Sequence, residues 1–266
     1  MPAERVLSII RRATLDDEFR AKLFANPDDA LAEYDLSPDE TAAIRRLQPE
    51  HIDSFVGGLV AQQFIPIRAS RRFVIVAEGN QNQVSPPDLP IIVGPEIVFG
   101  NGLHPSTQLC VRELEKRVKP GLTVLDIGTG TGILAIAAAR LGASPILAVD
   151  ILPEAADAAR RNVEMNGLVD QITVEHGSLA EALARGFRAD IMVGNLLAPI
   201  IIALAGQGLS ETLNPKGVMI LAGLTNKQRG GVEAALRQNG LSVFARRRQG
   251  DWTALLARKR QGRVFW

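Results

Sequence analysis

The stretch Val124-Leu-Asp-Ile-Gly-Thr-Gly-Thr-Gly132 has the composition of a ligand-binding turn. Gly128, Gly130 and Gly132 keep it clear of side chains, so a ligand can approach the backbone and the N-terminus of a following helix. Asp126 precedes the turn, and Thr129 and Thr131 are interleaved with the glycines. Asp150 closes the next apolar run, 18 residues after Gly132, where a carboxylate can take both hydroxyls of a ribose. Farther on, Asn195 follows the apolar run Ile191–Val193. Its side-chain oxygen and a neighbouring backbone carbonyl, that of Leu196, could accept the N–H groups of an amine and aim its lone pair. Helix capping is the structural role that competes for Asn195.

Two cofactor classes use a strand, glycine turn, helix, strand and terminal acid in that order. Dinucleotide folds space the glycines G-x-G-x-x-G, so that a helix N-terminus meets a pyrophosphate. The spacing here is G-x-G-x-G after an Asp, which favours S-adenosylmethionine, a donor without phosphate. A tight strand-to-helix turn without a cofactor is the remaining reading.

Several segments then carry a family resemblance. Residues 124–150, with Asn162-x-x-x-Asn166-Gly167, resemble the class I methyltransferase core. Phe99-Gly-Asn-Gly-Leu-His-Pro-Ser-Thr107 resembles the F-G-T-G-x-H-x-T-T signature of PrmA-type ribosomal protein methyltransferases, and Gly194-Asn-Leu-Leu-Ala198 resembles their A-N-I-L-A. The match runs from about Phe64 to Lys259. It implies a pocket for S-adenosyl-L-methionine formed by Phe99, Gly100, Thr107, Asp126, Gly128, Thr129, Gly130, Gly132, Asp150, Ile151 and Asn195, with Thr107 at the methionine end. Asn195 and Leu196 are the implied catalytic pair. Ser178 stands where many relatives place an acid against the adenine amino group. His104, in a Gly/Pro-rich loop, reads as a residue that shapes the loop. His51 and His176 carry no metal-ligand spacing, so no metal site is expected.

The elements that must hold these residues follow from periodicity. From Thr107 onward helices and strands alternate: helix Thr107–Arg117, strand Thr123–Ile127, helix Ile133–Leu141, strand Ile146–Val149 and helix Pro153–Asn166. Strands Ile172–Glu175, Ile191–Val193 and Val218–Leu221 are separated by helices, one of them Ile200–Thr212, and helix Lys227–Asn239 follows. Leu241–Arg246 and Trp252–Ala257 then close the chain without a helix between them. This order implies an α/β fold, a Rossmann-like and mostly parallel sheet covered on both faces, with an antiparallel C-terminal edge strand. Residues 107–266 would form the methyltransferase domain. Residues 64–106 read as an extended linker and cofactor-site loop, with strands at Arg72–Ala77, Ile91–Val93 and Ile97–Phe99.

Residues 1–63 read as a small helical domain. Asn26-Pro27-Asp28-Asp29 looks like a stop and capped restart, and Ser37-Pro38-Asp39-Glu40 is a start signal. PrmA-type proteins usually begin with a mixed α/β domain instead. Phe19 to Ser37 is more similar to helical leader regions of some ribosomally made natural-product precursors, or to small subunits of ring-opening dioxygenases. The acceptor is therefore open: an amine of a protein or peptide, including a ribosomal protein, or a small-molecule amine with the helical domain as lid. A non-catalytic cofactor-binding module is the third reading, opposed by the retention of Asp150 and Asn195.

Whole-chain numbers exclude other classes. The net charge of +1 gives no reason to expect nucleic-acid binding. It hides an asymmetry: residues 1–63 carry 7 Lys/Arg against 12 Asp/Glu, and the rest 23 against 17. Cys110 is the single cysteine, which excludes an intrachain disulfide and fits a cytoplasmic protein. The first residues lack a signal-peptide layout, and no apolar run reaches the ~18 residues of a membrane span. Arg246-Arg-Arg248 reads as a solvated face, or as a guide for an acidic substrate.

Overall fold

The computed structural model describes residues 9, 12, 13, 16–45, 66–94 and 104–260. The chain divides into two compact units, Met1–Ala61 and Gln62–Trp266.

The described part of the first unit holds three short helices, α1 (Asp17–Ala25), α2 (Pro27–Leu31) and α3 (Pro38–Arg45). Asp16 caps α1 by accepting the Phe19 N–H at 2.8 Å. Asn26 ends α1 and caps α2, the stop and restart that its Asn-Pro-Asp-Asp setting implies. Phe19, Leu23, Ala30, Leu31 and Ile44 are buried within the unit. The Arg12 guanidinium lies 4.2 Å from the centre of the Phe19 ring and donates to the Tyr34 hydroxyl at 2.9 Å. Val6, Ile10 and His51 fall outside the described residues.

Among the described residues the second unit begins with a three-stranded sheet, two of whose strands fall where extended pieces were expected, at Arg72–Ala77 and Ile91–Val93. β1 (Ile67–Arg68) runs antiparallel to β2 (Phe73–Ala77), which pairs in parallel with β3 (Leu89–Val93). The physical reason is burial: Ile67, Phe73, Ile75, Ile91 and Val93 enter the same apolar core as the larger sheet. The proline-rich polar stretch from Glu78 to Pro90 ends in the first residues of β3. Ile97–Phe99 lies outside the described residues.

The larger sheet has seven strands in the order β6-β5-β4-β7-β8-β10-β9. They are β4 (Val124–Ile127), β5 (Ile146–Asp150), β6 (Ile172–His176), β7 (Ala189–Asn195), β8 (Leu213–Thr225), β9 (Leu241–Gln249) and β10 (Trp252–Lys259). The pairs from β6 through β8 are parallel, and β10 is antiparallel to both β8 and β9. The strand that runs against the sheet thus sits one place in from the edge, and β9 is outermost. β4 and β5 are buried at every position, as central strands covered on both faces must be. β9 alternates in exposure, as an edge strand does.

Helices α4 (Pro105–Arg117), α5 (Ile133–Arg140), α6 (Pro153–Met165), α7 (Leu179–Ala184), α8 (Ala198–Gly206) and α9 (Arg229–Gln238) accompany the sheet. α5 is alanine-rich and buried from Ile133 to Ala139, so it packs closely under the turn that precedes it. A helix expected over Ile200–Thr212 stops at Gly206, and Leu209–Thr212 forms a separate 3-10 turn. Gly208 between them takes φ +96°, a left-handed conformation that ends the helix.

Candidate active site

The carboxyl ends of β4, β5 and β7 converge on the glycine turn. Gly128, Gly130 and Gly132 all have positive φ, so the turn's shape requires glycine as much as its openness does. Two carboxylates fix it. Asp126 Oδ2 accepts from the Thr129 hydroxyl at 2.7 Å and from the Ala135 N–H at 3.2 Å. Asp150 accepts the Gly130 N–H at 2.9 Å through Oδ2 and the Leu152 N–H at 3.0 Å through Oδ1. The Gly128 and Thr129 N–H groups both donate to the Val149 carbonyl. Asp150 is therefore also a builder of the turn, a role its sequence position did not announce.

Burial pushes the Asp126 carboxyl up to about 7, against the opposing hydrogen bonds from Thr129 and Ala135, with the Asp150 charge adding to the rise. Its Oδ1 is buried and has no hydrogen-bond partner. Asp150 is likewise raised by burial, opposed by the Gly130 and Leu152 N–H groups.

Asn195 ends β7 and is only 8% exposed. Its Nδ2 donates to the Thr107 hydroxyl at 3.0 Å, and its Oδ1 is buried without a partner. Thr107, in the first turn of α4, is fully buried. It is placed there by His104, whose Nδ1 caps α4 by accepting the Ser106 N–H at 3.2 Å and whose ring packs edge-on against Trp252 at 4.2 Å. His104 therefore shapes the chain's entry into α4, in line with its loop setting.

Leu196 was singled out for its backbone, and the structure gives its side chain a place as well. A Cβ on Gly128 would lie 2.4 Å from Leu196 Cδ2, and one on Gly194 would lie 3.2 Å from Cδ1. A Cβ on Gly223 of β8 would meet the Leu196 carbonyl oxygen at 2.4 Å. Glycines in or just after three adjacent strands thus make room for one leucine beside Asn195. No spacing rule pointed to that arrangement.

Ser178 is committed locally. Its hydroxyl accepts from the Ala180 N–H, and both its hydroxyl and its N–H donate to Glu181, a capping box that starts α7. The Ser-x-x-Glu spacing was the available signal. Ile151 follows Asp150, and its carbonyl lies 3.0 Å from His176 Nε2, so His176 flanks this corner. Phe99 and Gly100 lie outside the described residues. Among the described residues no group of His, Cys, Asp and Glu could hold a metal ion, and no helix is long and apolar enough to cross a membrane.

The Asn162-x-x-x-Asn166 pair proves to be a stitch. Asn162 accepts the Gly94 N–H at 2.8 Å and donates to the Thr131 carbonyl at 2.7 Å. Asn166 accepts the Ile92 N–H at 3.1 Å and donates to the Ile92 carbonyl at 2.7 Å. The small sheet is thereby tied to the glycine turn through α6. Arg246 forks onto Glu233 with two 2.6 Å bonds and Arg247 reaches Glu113, so two of the three consecutive arginines are paired rather than simply solvated.

Strand order, a glycine turn over two carboxylates and an asparagine at the end of β7 define a Rossmann-like class I methyltransferase fold. Comparison with known proteins is narrower. Residues 59–260 match the family model of ribosomal protein L11 methyltransferase (PrmA), and the chain belongs to that family. It is 44% identical over 193 residues to the ribosomal protein L11 methyltransferase of Pelotomaculum thermopropionicum, covering 73% of this chain and 62% of that one. It is 38% identical over 223 residues to that of Chloroflexus aurantiacus, covering 75% and 68%. The chain thus spans about three fifths to two thirds of the length of these relatives. A crystal structure of ribosomal protein L11 methylase from Lactobacillus delbrueckii subsp. bulgaricus superposes with a TM-score of 0.66 at 34% identity, over 75% of this chain and 100% of that one. A 16S rRNA methyltransferase of T. Thermophilus shares the fold alone, with a TM-score of 0.50 at 24% identity over 61% and 45% of the two chains.

Proposed function

We propose that this chain transfers a methyl group from S-adenosyl-L-methionine to an amine nitrogen of a protein or peptide. The observation that carries this reading is Asn195: a buried amide anchored through Nδ2 on Thr107, with Oδ1 left without a partner beside the glycine turn. A buried acceptor without a donor is costly, and an amine N–H would satisfy it.

The residues fit the donor. The turn over Gly128–Gly132 presents backbone, and Asp150 stands at the end of β5, held by the Gly130 and Leu152 N–H groups. When bound, the donor supplies an electrophilic methyl on a sulfonium. Asp150 has lone pairs left for ribose hydroxyls after its two backbone bonds. Thr107, Asp126, Gly128, Thr129, Gly130, Gly132 and Ile151 complete the described part of the donor site, and Phe99 and Gly100 join it by resemblance. Ser178 contributes at most its backbone, because its side chain is held by Glu181.

Asn195 Oδ1 and the Leu196 carbonyl accept the amine N–H groups, so its lone pair is aimed at the methyl. The Leu196 side chain, filling the space left by Gly128 and Gly194, excludes water there. Direct displacement needs a neutral, aligned nitrogen and no strong base, which suits a site where the nearest polar group is an amide. A polypeptide acceptor is supported by the relatives, which are ribosomal protein L11 methyltransferases. The first unit and the partial coverage of those relatives support treating the particular acceptor as this chain's own. Labelled methyl donor incubated with ribosomal protein L11, with lysine-containing peptides and with small-molecule amines tests the reading. N-methylated polypeptide by mass spectrometry is expected; label confined to small amines overturns the polypeptide acceptor.

A further inference from the structure

The seam between α4 and β9 is a row of cations that the donor and amine sites do not use. It begins one residue from Thr107, where Gln108 accepts from Gln249 Nε2 at 3.0 Å. One helical turn on, Arg112 donates to Gln249 at 3.0 Å and lies 3.4 Å from Gln108, both of them neutral amides. Next come Lys116, Arg117 and Arg247, which share one carboxylate, Glu113, at 2.8, 3.0 and 2.9 Å. Burial works to raise the Glu113 carboxyl, and hydrogen bonds from Lys116 and Arg247 more than offset it, so Glu113 stays ionised. The row ends at Phe244, 41% exposed, with Arg117 and Arg258 at 5.8 and 5.6 Å from its ring centre. Lys116, Arg117 and Arg247 thus share a single carboxylate that is 1% exposed, with Arg112 on neutral amides and Arg258 over Phe244 at the two ends of the row. The row follows α4 for about 14 Å, the rise from Gln108 to Arg117.

A surplus of positive charge starting at the amine site and leading away from it suits a negatively charged chain held alongside the reacting nitrogen. Phe244 already carries two guanidinium groups, which disfavours a stacked base and so a single-stranded nucleic acid. There is also a chemical consequence. Carboxylates next to an amine hold it as ammonium, and the transfer needs it neutral. Pairing those carboxylates with arginines lowers the cost of removing the proton. Resting on the polypeptide acceptor proposed above, we infer that the α4–β9 seam is the acceptor's docking track and selects an amine flanked by aspartate or glutamate.

The test uses the full chain and labelled peptides that carry one lysine flanked by acidic, uncharged or basic residues, with a single-stranded oligouridine RNA as a further probe. Binding is read by fluorescence anisotropy without methyl transfer. The acidic peptide should bind best, and more weakly as salt rises. Arg112→Gln with Arg258→Gln, neither of which has a carboxylate partner among the described residues, should weaken it about 5- to 10-fold while donor affinity stays unchanged. In turnover the double variant should raise KM for the acidic peptide and leave kcat in place. Equal binding of the three peptides, no effect of the double variant, or tighter binding of the RNA overturns the track. Acidic-peptide binding without methyl transfer leaves the track standing and refutes the proposed reaction instead.

Discussion

Replacing Asn195 with alanine separates orientation from binding. The change removes the partnerless Oδ1 and also deletes the 3.0 Å bond to Thr107, whose hydroxyl is fully buried. Loss of that buried partner should cost about 1–3 kcal/mol of stability, which for a unit of this size lowers the melting temperature by roughly 2–4 °C per kcal/mol. The chemical effect should be larger. Without Oδ1 the amine keeps its place in the pocket but not its aim, and a misplacement near 1 Å costs about 100-fold, equivalent to about 2.7 kcal/mol. Single-turnover transfer from labelled donor to an acceptor peptide, beside calorimetric donor titration, reads the two quantities separately. Transfer should fall at least ~100-fold with donor affinity nearly unchanged. Thr107→Val should sit on the other side of the split, weakening donor binding more than it slows transfer. The pair is in direct contact, so the double variant should deviate from additivity by about 0.5–3 kcal/mol. An Asn195→Ala protein that transfers methyl at the full single-turnover rate would show that Asn195 only holds Thr107 and the end of β7, and the orientation argument would fail.

Asp150→Asn should weaken donor binding by about 10- to 150-fold, through lost charge-assisted hydrogen bonds, and calorimetry with equal affinities would remove Asp150 from the donor site. Because burial lifts the folded Asp126 carboxyl to about 7, well above an ordinary aspartate at about 4, the native state binds more protons than the unfolded one between those values. Stability from this group is present below about pH 4 and is lost as pH rises to about 7; Asp126→Asn should flatten the melting temperature over that window, and parallel curves for the two proteins would refute it. Asn162→Ala should loosen the tie between Gly94 and Thr131, raising the donor's dissociation constant and exposing the Ile92–Gly94 amides to hydrogen exchange; unchanged exchange there would deny the stitch. A chain beginning at Gln62 should fold and bind donor, since the core from Ile67 to Ala254 and the donor residues are all retained; aggregation on purification would show that the first unit completes that core.

How much of this was legible in the chain depends on the range of the forces involved. Local signals carried the turn, because three closely spaced glycines after an apolar run allow positive φ and leave the backbone open where other residues would not. They also carried the α/β alternation, the Asn26 stop and restart, and the placement of Asp150 and Asn195 after apolar runs, since a strand's end fixes where its next side chain emerges. Three kinds of feature were decided only in the folded molecule. The strands at Arg72–Ala77 and Ile91–Val93 were legible, but not their pairing into a sheet, because the burial that supports it is supplied by α5 and α6, far along the chain. Asn162 and Asn166 could be recognised but not explained, since their partners lie 68 and 74 residues away. Leu196 fits against Gly128 and Gly223 only because β4, β7 and β8 are neighbours, and strand order is a property of the sheet. Sequence specifies what each residue can do with its immediate neighbours. The partner of a buried amide or carboxylate is chosen by tertiary packing, because that partner need only be near in space.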